Sequence, residues 1–491
     1  MLDQLLLACD REPDAPALAG LTYRQLKRRV LGVAAGLVEL GFEPGDRVLF
    51  SVRPRVDGIC LALGIVAAGG TVVFADPGAG EAMFRARAEL ASPRWVAAES
   101  LLYLASTRPL RPVARRRGLE LPPYATVVPE ARHIVSGPRL PGVPRGATPL
   151  SRLLDHEPLD AARGTEQDAA LIIFTSGTTA SPKAVVHSRQ SLGSGLGGFA
   201  AHVRFAPGQR VLTDQLMVGI PALIAGAHWL LPAVGADPGA RPDRYLALLP
   251  EADALFAVPA ALDAILTLLD REPGRTPALQ TLLIGGAPVL RPLLLRARRR
   301  FPDARILAIY GMTEMLPVAI ADGDDKLAYT GAGDFVGELL VDARIDGDEL
   351  VLRGPGLALG YLGRPPLTEL RTGDLARIDG TTLVLAGRSK DMFIRGTTNV
   401  YPGLYEPIIA GLPGVRDAAM VGIANEIGDD EIVLVLVVDA ESRVREVERA
   451  LPGLIDAAVL PDRVVAVEAF PTSGRASKLD RAALARMVRS R

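Results

Sequence analysis

Phe174-Thr175-Ser176-Gly177-Thr178-Thr179-Ala180-Ser181-Pro182-Lys183 closes an apolar run that begins at Ala169. Such a run, ending in small polar residues, reads as a buried strand entering a loop. The loop is rich in hydroxyls and carries one glycine and one lysine. Hydroxyls and free backbone N–H groups wrap phosphate oxygens, and a lysine adds a point charge, so the loop has the chemistry of a phosphate holder. It is not the G-x-x-x-x-G-K-[ST] loop, because Lys183 follows a proline, six residues after Gly177. Taken alone, it is also compatible with an ordinary connection.

Strand and helix patterns alternate on both sides of this loop, from Leu21 to about Val318. Leu21 to Tyr23 is a short strand. Gln25 to Leu40 has helical spacing of Leu26, Val30, Val33, Ala34 and Leu37. Arg47 to Ser51 is a strand, Ile59 to Ala68 a helix stopped by Gly69 and Gly70, and Thr71 to Ala75 a strand again. This alternation predicts parallel sheets with crossover helices. Thr107 to Asp168 is poorer in pattern, with room for a short strand or two. From Gly331 to Ala386 short strands and turns crowd together, which predicts a β-rich subdomain. A compact unit of strands Ala418 to Ile423 and Glu431 to Val438, with a helix near Val444 to Leu451, follows Gly387. The expected fold class is therefore α/β. A large domain over 1–388 holds two parallel-type sheets and the β-rich part, and a small mobile α+β domain spans 389–491.

Composition narrows the function classes. Hydrophobic residues make up 49% of the 491 and charged residues 23%, enough for large cores, and the net charge of −1 gives no reason to expect nucleic acid. Cys9 and Cys60 are too few for a zinc site or a disulfide framework, which fits a reducing cytoplasm. Ile59 to Val73 is the longest apolar stretch, is broken by glycines, and is too short to span a bilayer, so no integral membrane segment is expected. The basic run Arg296-Ala297-Arg298-Arg299-Arg300 is expected to solvate one helix face. Lysine occurs only at positions 27, 183, 326, 390 and 478, against 55 basic residues. Positions that stayed lysine are candidates for needing a compact, mobile ammonium.

Five further segments carry chemistry. Leu282-Leu283-Ile284-Gly285-Gly286-Ala287-Pro288 is a strand ending in two glycines, where a flat ring can approach the backbone. Ile306 to Ile309 is a strand followed by Tyr310-Gly311-Met312-Thr313-Glu314, offering a ring to stack on a base and a carboxylate for Mg²⁺ near phosphates. Arg371-Thr372-Gly373-Asp374 places an acid after a tight turn, suited to ribose hydroxyls. Gly387-Arg388-Ser389-Lys390-Asp391 stands where the large domain gives way to the small one and reads as a hinge. Near the end, Pro471-Thr472-Ser473-Gly474-Arg475-Ala476-Ser477-Lys478-Leu479-Asp480-Arg481 puts a lysine in a polar loop. Each segment alone also has an ordinary reading, as a turn, a core tyrosine, an inert linker or a solvated lysine.

Together these segments resemble, in order and spacing, the adenylate-forming superfamily of acyl-CoA synthetases, luciferases and peptide-synthetase adenylation domains. The resemblance implies ATP and Mg²⁺ as cofactors. It places Thr175, Ser176, Gly177, Thr178, Thr179 and Lys183 around the β- and γ-phosphates. It puts Gly285, Gly286, Ala287 and Tyr310 at the adenine, with Gly311, Met312 and Thr313 in the same nucleotide-binding run. Asp374 falls to the ribose, with Arg388 near ribose or phosphate. Thr175 and Glu314 resemble the Mg²⁺ pair, Lys390 the hinge, and Lys478 the lysine that reaches the α-phosphate. Lys478, Thr313, Glu314 and Lys183 are thus the expected catalytic set.

The implied reaction activates a carboxylic acid, here a fatty or 3-hydroxy fatty acid, to acyl-AMP with release of pyrophosphate. The acyl group then passes to a thiol, of coenzyme A or a phosphopantetheine carrier. An acyl-carrier protein or pathway enzymes would be partners in such chemistry. A narrower resemblance joins Tyr310-Gly311-x-Thr313-Glu314-x-Leu316-Pro317-Val318-Ala319, with Leu230-Leu231-Pro232 before Asp237-Pro238, to the β-lactone synthetases of olefin biosynthesis, in which the substrate's own hydroxyl attacks. The third alternative is a nucleotide-binding relative without catalysis, against which the three motif lysines and Glu314 argue. Departures from the family pattern are Ala180 and Ala184 in place of glycines, Leu404 in place of a glutamate, no aromatic or histidine within Thr213 to Pro221, and Arg475 as a rival to Lys478. Gly193, Gly195, Gly197 and Gly198 either leave room for an alkyl chain or let helices pack closely.

Overall fold

The computed structural model describes residues 1–77, 80–116, 121–175, 183–232, 241–272, 277–388, 391–395, 398–424, 430–455, 459–473 and 478–489. The chain packs into two compact units. One comprises Met1–Val234, Met312–Leu316 and Pro355–Thr368, the other Gly235–Gly311, Pro317–Gly354 and Glu369–Arg491.

The first unit contains a sheet whose strands lie in the order Gly360–Tyr361, Lys183–Ser188, Ala169–Thr175, Thr71–Phe74, Arg47–Ser51, Trp95–Glu99, Arg132–Ser136 and Thr148–Pro149. From Ala169–Thr175 to Thr148–Pro149 every neighbouring pair is parallel. Helices cover such a sheet, so its strands read as continuous apolar runs, and Trp95–Glu99 is buried at every position. The helix Tyr23–Glu39 buries Leu26, Val30, Val33, Ala34 and Leu37 as its spacing predicts. Thr22 starts it through a reciprocal cap with Gln25. The stretch from Ile59 to Val73 divides into the helix Val56–Ala67 and the strand Thr71–Phe74. Gly70 is required between them, because a Cβ there would lie 2.3 Å from the Phe42 ring.

Lys183 departs from a purely loop-like reading. It begins the strand Lys183–Ser188, which returns antiparallel to Ala169–Thr175 with Thr175 opposite Lys183. Thr175 and Lys183 are therefore held together by a strand pair.

In the second unit Ala254–Ala257, Thr281–Gly285 and Arg305–Met312 are parallel. The expected β-rich part follows as antiparallel strands Asp334–Leu339, Thr382–Arg388, Leu370–Asp379, Glu349–Arg353 and Asp342–Asp346. The basic run on helix Arg291–Arg300 is not merely solvated. Arg296 pairs with Asp263 and Asp270, Arg298 with Asp324, and Arg300 donates to the carbonyls of Leu269 and Glu272.

The last part of this unit has a sheet of its own, Val415–Ala424, Asp430–Val438 and Arg463–Ala466. Alternation along Asp430–Val438 sends Ile432, Leu434 and Leu436 into one core with Val400, Ile409 and Met420. Val433 and Val435 enter another with Leu484 and Val488. Among the described residues no helix is long and apolar enough to cross a membrane. Cys9 and Cys60 are buried free thiols.

Candidate active site

The residues expected to touch nucleotide divide between the two units. In the second, Gly285 ends its strand opposite Ile309 of the parallel neighbour. A Cβ on Gly285 would stand 3.2 Å from Ile309, and Gly286 turns away with φ +86, a conformation that favours glycine. Ala287 and Tyr310 are half-buried beside this turn's strands. The Tyr310 hydroxyl donates to Asp374 Oδ2 at 2.5 Å. Asp374 is 3% exposed, its N–H donates to Thr372 Oγ1 at 3.0 Å, and it stands opposite Arg388 in the strand pair. The glycine turn, Tyr310, Asp374 and the Arg388 backbone are thus joined within one unit. The strand Arg305–Met312 runs further than expected and includes Tyr310, Gly311 and Met312.

In the first unit, Thr313 and Glu314 form the connection between the strands Arg305–Met312 and Met315–Asp322. His187 Nε2 lies 2.7 Å from the Thr313 carbonyl oxygen. A carbonyl only accepts, so Nε2 carries the proton, and Nδ1, 3.0 Å from Ser191 Oγ, is the acceptor. Burial lowers the His187 pKa below its usual value, although the hydrogen bond to Thr313 and the charge of Glu314 oppose this, so the ring is neutral. Glu314 is engaged twice. Its carbonyl accepts from Ala358 N–H at 2.9 Å, and its Oε1 accepts from the Tyr361 hydroxyl at 2.8 Å. Burial first, then the bond to Glu314, raises the Tyr361 pKa, which keeps the phenol a donor. Lys183 is exposed at the start of the strand that carries His187.

Mg²⁺ fits this donor set. It usually keeps several waters and is held by one or two carboxylates plus substrate phosphates, so a dedicated cage is not needed. Among the described residues no group of three His, Cys, Asp or Glu side chains could hold a metal alone. Glu314 is a described carboxylate of the kind such an ion takes. The backbone of Thr175 is described and its side chain is not, and the same holds for Arg388. Ser176, Gly177, Thr178, Thr179, Ala180, Lys390 and Arg475 lie outside the described residues.

Lys478 is exposed on the short strand Lys478–Leu479, paired with Thr472–Ser473. The residues after it anchor this end. Asp480 caps the helix Arg481–Val488 by accepting from Ala483 N–H at 2.9 Å. Arg481 grips Glu406 with two bonds of 2.6 Å, donates to the Met420 carbonyl and reaches Asp391 at 3.4 Å. Lys27 and Lys326, the lysines outside the motifs, pair with Asp10 and Asp334.

Three of the four glycines on helix Arg189–Val203 serve close packing. A Cβ would lie 2.4 Å from the Met1 nitrogen at Gly193, 2.4 Å from the Leu316 carbonyl oxygen at Gly195, and 2.7 Å from Gln4 Nε2 at Gly197. Only Gly198 among them has nothing within 4 Å. The segment Thr213 to Pro221 has no aromatic of its own, yet Gly219 packs on Trp229, whose Nε1 donates to the Thr213 carbonyl at 2.8 Å.

His187 and Tyr361 were missed from sequence. One signal was present for His187, an imidazole in a buried valine-rich strand that must find polar partners.

Residues 6–362 match the AMP-binding enzyme family. The chain is 26% identical to the medium-chain fatty-acid–CoA ligase of Escherichia coli, over 94% of this chain and 85% of that protein. It is 28% identical to a feruloyl-CoA synthase from Amycolatopsis, over 82% and 81% of the two chains. Its fold matches that of the amide bond synthetase McbA from Marinactinospora thermotolerans with a TM-score of 0.81 at 22% identity, covering 99% of both chains.

Proposed function

The chain belongs to the AMP-binding enzyme family and is an AMP-forming acid ligase, and on that premise we propose that it activates a fatty-type carboxylic acid and passes the acyl group to a thiol. The observation that most directly supports the site assignment is the grouping of the expected residues. The glycine turn, Tyr310 and Asp374 meet in one unit, while Thr313, Glu314 and the strand of Lys183 meet in the other. The choice of acid rests on similarity to the medium-chain ligase over 94% of this chain. The packed glycines of helix Arg189–Val203 lend it no support.

In this reading the acid's carboxylate attacks the α-phosphorus of ATP and pyrophosphate leaves. Two anions meet, so the transition state needs positive charge placed in advance. Lys183 supplies it beside the outer phosphates, and Lys478 at the α-phosphate. Mg²⁺, when bound with the nucleotide, neutralises phosphate charge and polarises the phosphoryl oxygens. Glu314 would hold it, with the Thr175 hydroxyl. Asp374 accepts from the ribose hydroxyls, and the backbone at Gly285, Gly286 and Ala287 lets the adenine ring lie close. The thiol step then requires Lys478 to withdraw. We assign that movement to rotation of the part from 389 onward about Lys390, with Asp391 and Arg481 fixing its far side.

The test combines ATP–pyrophosphate exchange over a panel of carboxylic acids with mass spectrometry of the products, with and without coenzyme A. Acid-dependent exchange and a thioester formed only with the thiol are expected. A β-lactone from a 3-hydroxy acid without thiol would replace the acceptor. Absence of exchange with every acid would leave a nucleotide-binding protein without catalysis.

A further inference from the structure

Thr313 and Glu314 form the two-residue turn between Arg305–Met312 and Met315–Asp322, which are hydrogen-bonded neighbours in one sheet. Beyond the strand pair, three further contacts hold the turn. His187 donates to the Thr313 carbonyl at 2.7 Å, Ala358 N–H to the Glu314 carbonyl at 2.9 Å, and Tyr361 to Glu314 Oε1 at 2.8 Å. Both side-chain donors are built into the same sheet. His187 stands on the strand Lys183–Ser188, and Tyr361 on the adjacent strand Gly360–Tyr361, opposite Val185. Each donor is itself fixed from behind. Ser191 Oγ lies 3.0 Å from His187 Nδ1, and Ser191 in turn exchanges hydrogen bonds with Ser188 at the start of its helix. Arg364 covers the Tyr361 ring at 5.8 Å. The ladder of each strand is backbone to backbone.

We propose that His187 and Tyr361 are positioning residues that hold Thr313 and Glu314 from two sides, so that the Glu314 carboxylate is presented with Oε1 already engaged and Oε2 turned to the cation that accompanies the nucleotide phosphates. This rests on the reading of Glu314 as the metal-holding carboxylate. The strand Lys183–Ser188 gives the arrangement a second consequence. It carries Lys183 at one end and His187 near the other, so the lysine and the histidine share one strand. Partners of this kind typically change metal affinity or turnover by about 10- to 100-fold when removed.

The test uses the full chain. Binding of Mn²⁺ in the presence of a non-hydrolysable ATP analogue is followed by electron paramagnetic resonance, beside ATP–pyrophosphate exchange at varied Mg²⁺. Tyr361→Phe deletes only the hydroxyl and is expected to weaken Mn²⁺ about tenfold, lower kcat at limiting Mg²⁺, and recover at high Mg²⁺. KM for the acid and the melting temperature should stay near those of the parent. His187→Ala should act in the same direction, and His187→Gln, which keeps an N–H donor near the Nε2 position, should restore most of the loss. Parent-like Mn²⁺ binding in both Tyr361→Phe and folded His187→Ala would overturn the proposal. Should His187→Ala not fold, Tyr361→Phe alone decides. Glu314→Gln separates the two levels. If it abolishes Mn²⁺ binding while Tyr361→Phe does not weaken it, only the positioning role fails, and if it leaves Mn²⁺ binding intact, the reading of Glu314 fails and takes the positioning role with it.

Discussion

Gly195→Ala and Gly198→Ala make a matched pair on one helix with opposite expected outcomes. Both sit in Arg189–Val203, so each gains the same helix propensity, about 1 kcal/mol over glycine. Gly198 is exposed with nothing within 4 Å of an added Cβ, so its variant should be slightly more stable and as active as the parent. At Gly195 the Cβ would lie 2.4 Å from the Leu316 carbonyl oxygen, whereas ordinary contact begins at 3.4 Å. The helix or the Leu316 backbone must therefore give way by about 1 Å, and misplacement on that scale near reacting groups costs up to about 100-fold in rate. Leu316 follows Glu314 by two residues, so the shift falls on the segment that His187 and Tyr361 hold. A fall in kcat of tenfold or more is expected in the exchange assay, while thermal melting shows a folded protein. Full activity in Gly195→Ala would refute the claim that this glycine fixes the Thr313–Leu316 segment. Equal losses in both variants would point to the helix as a whole.

Lys478→Ala should cut adenylation by on the order of 100-fold while leaving use of presynthesised acyl-AMP comparable, because it removes a charge needed for one half-reaction. The exposed side chain should cost little stability, and the assignment fails if Arg475→Ala shows the selective loss instead. Asp417 gives a pH prediction. Burial, reinforced by Glu406 and opposed by Arg481, pushes its pKa from 3.8 up to about 6. The folded state then binds more protons than the unfolded one between those values, so stability is lost as pH rises through that window and the loss persists above it. Asp417→Asn, whose amide oxygen can still accept from Ala418 N–H, should be more stable than the parent at pH 7 by on the order of 3 kcal/mol, with the advantage gone near pH 4. Hydrogen exchange of Val415–Ala424 and Asp430–Val438 at both pH values measures this, and a pH-independent difference would refute it.

What could be read from the sequence was local. The alternation of periods, the body of helix Tyr23–Glu39, the division of Ile59 to Val73 and two of the three strands of the last sheet each lie within a short window, where side-chain spacing is set by backbone geometry. The chemistry-bearing runs were legible for the same reason. A hydroxyl-rich loop ending in Lys183, or a tyrosine four residues before Glu314, is a contiguous string. Those strings were enough to fix the family and the reaction class.

The tertiary structure decided which of these strings meet and what holds them. His187 reaches Thr313 across 126 residues, Tyr361 reaches Glu314 across 47, and Arg481 reaches Glu406 across 75. No local pattern encodes such partners, because they follow from strand order and register, and a shift of one residue would turn His187 to the other face of its strand. The glycines of helix Arg189–Val203 show the same limit. A missing side chain reads alike in sequence whether the space is left for a substrate or taken by a neighbour, and only the packing shows that the backbones of Met1 and Leu316 and the side chain of Gln4 take it at three of the four.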